Sequence, residues 1–210
     1  MSLPFITLDL TPRFLTFYAA ARHEPNPEQR WVSWQTRYAF AAVPPTPAGQ
    51  AMARQLLDAA WPHYEAALPL IQRGAADLFA DAEAELRRVQ TLLETPNLLP
   101  TRVIGYVGAF ENNASVARQG EVLNVCLPVE TARETRLPLL AHELTHVVHC
   151  AAGGSDGEWT RSLASSLLAE GLAMRVTQQL FPDAPLAQVV GEAAWLAACA
   201  AKESALLSAM

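Results

Sequence analysis

Two histidines four residues apart enclose a glutamate in the run His142-Glu143-Leu144-Thr145-His146. On an α-helix that spacing puts both imidazoles on nearly one face, about 6 Å apart along the axis. Two ring nitrogens can then share one zinc ion. Glu143 lies roughly 100° further round the helix, beside the open position of such an ion instead of on it. There its carboxylate can take a proton from a water whose pKa zinc lowers toward about 7, and later hand that proton to a leaving amine. The competing explanation is a solvated helix face with unrelated histidines, and a third ligand decides between the two.

The metzincin continuation H-E-x-x-H-x-x-G-x-x-H fails here, because position 149 is His and position 152 is Ala. His149 shares the helix face but stands about 10 Å along the axis from His142, too far for one tetrahedral ion with ligands near 2 Å. It reads as a residue facing substrate or supporting the site, or as a structural histidine. The better candidate is Glu170, the polar exception in the apolar, small-residue stretch Leu167-Leu168-Ala169-Glu170-Gly171-Leu172-Ala173. A buried carboxylate needs a counter-charge, which zinc supplies. Pairing with Arg161, Arg175 or water at the edge of a helix pair is the lesser explanation, without a metal.

His142-Glu143-Leu144-Thr145-His146, followed by Glu170-Gly171-Leu172-Ala173 on the next helix, resembles the gluzincin group of metallopeptidases. The E-G-x-A element is particularly similar to that of bacterial families described only as predicted Zn-dependent proteases. The resemblance is sharp over about residues 136–175. It implies that His142, His146 and Glu170 bind zinc, that Glu143 is the general base, and that an edge strand from the 103–127 region holds an extended peptide by main-chain pairing. Two departures stand out. Well-studied gluzincins place a Tyr or His, usually C-terminal to the third ligand, to stabilise the oxyanion. After Glu170 this chain has neither, leaving Arg175, Lys202, Tyr106 or His149 for that role. Met174 stands where some members place an acid that orients a zinc-bound histidine, so Asp156, Glu158, Ser166 or a backbone carbonyl must do so. A zincin-fold protein that keeps its zinc for a structural or ligand-binding role, without hydrolysis, is the alternative.

The elements that must position these residues follow from periodicity. The expected class is α+β and zincin-like, with a small antiparallel sheet packed on the active-site helix and a mainly helical remainder. Residues 1–43 form an N-terminal segment with a β-like run at Phe5-Ile6-Thr7-Leu8, and its aromatics Phe14, Phe17, Tyr18, Trp31, Trp34, Tyr38 and Phe40 are expected to cluster on the core. Val43-Pro44-Pro45-Thr46-Pro47 breaks the chain. One zincin-like domain over 44–210 then comprises helices over 48–94, a sheet over 101–130, the motif helix over 136–152, the third-ligand helix over 160–180 and a last helix over 187–208. Within 48–94, breaks are expected at Pro62, Pro69 and Gly74, while Leu78, Ala82, Leu86, Val89 and Leu93 recur at helical spacing. Strands are expected at Arg102–Val107 and Glu121–Leu127, with Glu111-Asn112-Asn113 as a turn that could face substrate. The run Asp81, Glu83, Glu85, Arg87, Arg88 reads as a solvated helix face.

Composition narrows the partners. A net charge of -6 supplies no basic field for nucleic acid or an anionic membrane surface, and no apolar run approaches the ~20 residues of a membrane span. Cys126, Cys150 and Cys199 are odd in number and widely spaced, which argues for a reducing, cytoplasmic setting and for small buried thiols instead of disulfides. His23 and His63 stand alone beside prolines and read as surface histidines. The expected cofactor is Zn2+, and the expected partner is a peptide or protein substrate.

Overall fold

The computed structural model describes residues 5–44, 46–154, 157, 162–185 and 193–209. Strand β1 (Ile6–Asp9) leads into helices α1 (Thr11–Ala21), α2 (Pro27–Arg37) and α3 (Pro47–Ala60), each begun by a proline in its first turn. Proline suits that position because its missing N–H is an orphan there anyway. The side chains of Asn26 and Thr46 cap α2 and α3 by accepting from the amides of Glu28 and Gly49. A 3₁₀ turn at Trp61–His63 joins α3 to the long α4 (Tyr64–Leu92). Strands β2 (Thr101–Tyr106), β3 (Ser115–Gln119) and β4 (Val122–Pro128) precede α5 (Arg133–Ala151), α6 (Leu163–Leu180) and α7 (Ala193–Ala209). The start expected for the last helix, at 187, lies outside the described residues. No helix among the described residues is long and apolar enough to cross a membrane.

The fold is α+β, but its sheet is mixed, not antiparallel as expected. The strand order is β1-β2-β4-β3, with β1 and β4 both parallel to β2 and only β3 antiparallel to its neighbour. The expectation overlooked β3, whose Ser-Val-Ala-Arg-Gln sequence carries little strand signal. Once β3 turns back into β4 through Gly120 and Glu121, β4 must run the same way as β2. Gly120 sits at φ +61, the left-handed conformation that a two-residue hairpin needs and glycine supplies. This topology leaves β3 on one sheet edge and β1 on the other.

The aromatic residues of the N-terminal segment gather as expected. Phe14 is fully buried, with ring centroids of Tyr38 and Tyr64 at 5.5 and 4.9 Å. Phe40 instead packs on Tyr106 at the end of β2, at 4.9 Å. Strand β1 pairs Leu8 with Ile104, so this segment contributes an edge to the same sheet that precedes the motif helix.

Pro69 and Gly74 do not break the helical region, because α4 runs through both. Gly74 serves packing: a Cβ there would lie 1.9 Å from the Val129 carbonyl oxygen and 2.9 Å from Arg136 Nη1. Gly74→Ala gains helix propensity of up to about 1 kcal/mol but drives a methyl into backbone, a cost of about 3 kcal/mol or more. The expected result is a net fall in the urea midpoint at unchanged m-value; an unchanged midpoint would show that α4 can shift freely.

The mixed-charge run is also corrected. Asp81 and Glu85 are 6% and 4% exposed, not solvated. Arg133 clasps Asp81 through two nitrogens at 2.7 and 3.1 Å, and the fully buried Arg136 adds a bond at 3.2 Å. Burial alone would raise the Asp81 carboxyl, but the two guanidiniums hold it below its ordinary value. These pairs fasten the first turn of α5 to the middle of α4. Leu78, Ala82, Leu86 and Val89 are buried on α4 as their spacing predicts. Leu78 also meets the sheet, since a Cβ on Gly105 would lie 2.7 Å from its Cδ2.

Candidate metal centre

Helix α5 is held in the core by Leu140, Ala141, Leu144, Val147 and Val148, all 0% exposed. Thr145, also buried, satisfies its hydroxyl by donating to the Ala141 carbonyl at 2.7 Å. With those positions turned inward, His142 and His146 emerge on the remaining face, their ring centroids 4.9 Å apart. Helix α6 starts where Ser162 caps the Ser165 amide at 3.1 Å. It packs against α5 and buries Ala169 and Ala173, whose small side chains allow close approach. Glu170, at the margin of that buried face, thereby reaches both histidines. A Cβ on Gly171 would meet nothing within 4 Å, so the glycine of the E-G-x-A element is not demanded by packing.

The three donor atoms converge. His142 Nε2 lies 3.2 Å from His146 Nε2 and 3.2 Å from Glu170 Oε2, and His146 Nε2 lies 3.5 Å from the same oxygen. Among the described residues this is the group of histidine and carboxylate side chains able to hold a metal ion. The histidine side chains are 17% and 13% exposed and that of Glu170 is 48% exposed, so the group sits at the floor of an open cleft. Bonds from His142 and His146 hold the Glu170 carboxyl well below its usual range, against the opposing effect of burial. Burial would lower His142, but its bond to Glu170 and the charges of Glu143 and Glu170 raise it above ordinary imidazole. In the metal-free chain this pair contributes stability fully between the unfolded values of 4.5 and 6.5. It is lost as pH falls through the depressed Glu170 value or rises through the raised His142 value.

Glu143 is 6% exposed, and burial raises its carboxyl despite the two neighbouring imidazoles. A cleft of about 240 Å³ brings it together with His142, His146 and Glu170 on one side and Asn113, Ala114, Ser115 and Val116 on the other. That second wall is the entry to β3 and its first two residues, on the sheet edge. The sequence marks Asn113 and Ala114 as turn residues and gives Ser115 and Val116 no element, because β3 carries little strand signal.

Of the four residues left for an oxyanion role, His149 alone lines this cleft, with its ring against Gly154. Tyr106 is fully buried and donates to the Asn113 carbonyl. Arg175 bonds Gln178 at 3.3 Å, the ion partners of Glu170 among the described residues are His142 and His146, and Lys202 is exposed on α7. Arg161, Asp156 and Glu158 lie outside the described residues. Cys150 lines the cleft at 7% exposure, and none of the three cysteines is in a disulfide. His23 and His63 are exposed.

No protein family, no curated protein and no solved structure matches this chain.

Proposed function

We propose that the chain is a gluzincin-like zinc peptidase, with His142, His146 and Glu170 as ligands and Glu143 as general base. The observation that carries this reading is the donor triangle, with edges of 3.2, 3.2 and 3.5 Å. Ligands about 2.05 Å from a tetrahedral ion stand about 3.35 Å apart, whereas octahedral ligands at similar range stand about 3.0 Å apart. The triangle fits the tetrahedral case, and two imidazoles with one carboxylate are a donor set that zinc favours when a fourth position stays open. Bound there, zinc would acidify a water and polarise a carbonyl.

The chain's own residues supply the rest. Glu143, desolvated beside the ligands, accepts the water's proton and carries it to the leaving nitrogen, and burial raises its affinity for that proton. Strand β3, at the sheet margin, offers main-chain donors and acceptors to an extended peptide running through the cleft. A second reading, zinc binding without hydrolysis, is favoured by the burial of Tyr106 and by the positions of Arg175 and Lys202 away from the cleft.

Metal analysis of the purified protein is expected to find one zinc per chain, and hydrolysis of a fluorogenic peptide mixture should vanish with a chelator and return with zinc. Zinc bound without any turnover selects the second reading; a chain that binds no zinc sinks both. Because His142 holds its proton above the ordinary imidazole range, zinc must displace it. Zinc affinity is thus expected to fall by about tenfold per pH unit for each competing proton as pH drops below neutrality.

A further inference from the structure

Glu130 lies between β4 and α5, and its side chain takes no part in the metal centre. It is 2% exposed. Its Oε2 accepts from the Gly108 N–H at 3.0 Å, while its Oε1 accepts from Phe110 only at 3.4 Å. Glu111 reaches the same place from the loop. A Cβ on Gly108 would lie 2.7 Å from Glu130 Oε1 and 3.4 Å from Glu111 Oε1, and Glu111 Oε2 accepts from the Ala109 N–H at 2.6 Å. Two carboxyl groups therefore converge over a glycine whose missing side chain makes room for them. The negative charge of Glu111 favours the neutral form of the buried Glu130, whose Oε1 is held only by the long bond from Phe110.

The segment they hold, residues 107–114, is strained. Phe110 and Asn112 are non-glycine residues at φ 66 and 52. Side chains replace the ladder partners lost where β2 ends: the Tyr38 hydroxyl donates to the Val107 carbonyl at 2.9 Å and accepts from its amide at 2.8 Å. Tyr64 donates to the Gly108 carbonyl at 2.8 Å, and Thr131 donates to Asn112 Oδ1 at 2.9 Å. This loop runs straight into Asn113–Val116, the cleft wall opposite the histidines.

We propose that Glu130, with Glu111 across Gly108, is a proton-carrying clamp that positions loop 107–114 and so sets the β3 wall of the metal cleft. That this wall faces a metal rests on the proposed function; the clamp itself needs neither metal nor substrate. The titratable groups facing Glu130 are Glu111 of the loop, Tyr38 at the end of α2, Tyr64 of α4 and Tyr106 of β2. Arg13 of α1 bears on Tyr38, and the His63 ring stands 6.0 Å from that of Phe110. Burial, with Glu111 adding to it, pushes Glu130 up to about 7 in spite of its backbone bonds. An opened loop returns it toward 4.5. The closed loop thus binds the proton more tightly, and opening grows by about tenfold per pH unit between those values before levelling off.

Hydrogen exchange on the 210-residue chain at pH 5 to 8, with and without added zinc and corrected for intrinsic rates, tests this. Protection over residues 107–119 is expected to drop on the order of fiftyfold from pH 5 to pH 8 in the wild type. Glu130→Gln keeps the acid-like protection throughout, because its carbonyl still accepts from Gly108 and its amide stays neutral across this pH range. Glu130→Ala loses protection at both ends. A wild-type loop indifferent to pH, or a Gln variant as open as the Ala variant, overturns the clamp. Absence of zinc binding would defeat the proposed function and leave these exchange results standing.

Discussion

Glu143→Gln is expected to keep its zinc and lose turnover by about 10³-fold, within the 10²–10⁴ that a positioned acid–base group supplies. That is roughly 4 kcal/mol of transition-state stabilisation. The amide has the shape of the carboxylate, so the 94% or so of the residue that is enclosed stays filled. What it cannot do is accept a proton. None of the three converging donor atoms belongs to Glu143, which separates loss of the base from loss of the metal. Stability should be unchanged or slightly improved above pH 4.5, because burial raises this carboxyl and its ionisation therefore weighs against the fold. Turnover within a few-fold of wild type would remove Glu143 from the mechanism, whereas loss of zinc in the variant would make it a ligand.

His146→Ala is expected to weaken zinc binding on the order of a hundredfold or more, since removing one of three protein ligands forfeits about 3 kcal/mol or more of binding free energy. The helix should survive the change. Its buried side carries Leu140, Leu144, Val147 and Val148, none of which depends on the metal. Competition against a chromogenic chelator measures the affinity directly. Thermal unfolding gives a second readout: wild type with zinc at about a thousand times its Kd gains about 4 kcal/mol, or roughly 8–16 °C for a chain of this size. A chelator should remove that increment from the wild type and leave His146→Ala almost unmoved. Equal melting of both proteins with and without chelator would return the motif to coincidence on a helix face.

The two halves of the cleft are tied to the core by different means. The ligand side depends on Asp81, which fixes the start of α5 through Arg133 and Arg136. The β3 side depends on loop 107–114 and the side chains that hold it, Glu130 and Thr131 among them. Residues 130–136 thus reach both walls within one short stretch. Neither anchor contributes a donor to the centre.

Within one helix, the sequence alone determined a good deal. The 3.6-residue period puts His142 and His146 on one face and offsets Glu143, and it buries Leu78, Ala82, Leu86 and Val89 together on α4. Such relations need only local backbone geometry. The reach of Glu170 to both histidines, 28 and 24 residues away, was an inference that only the packing of α6 on α5 could settle in space. Other features were decided wholly by tertiary structure. Asp81 and Glu85 resemble any solvated charge run until arginines 52 and 55 residues distant arrive at Asp81. Gly74 resembles a break until Val129 presses against it. Glu130 carries no motif at all, and the direction of β4 follows from a hairpin with weak strand signal. Burial, charge pairing and strand direction are set by contacts between distant segments, and residue spacing along a chain does not record which segments will meet.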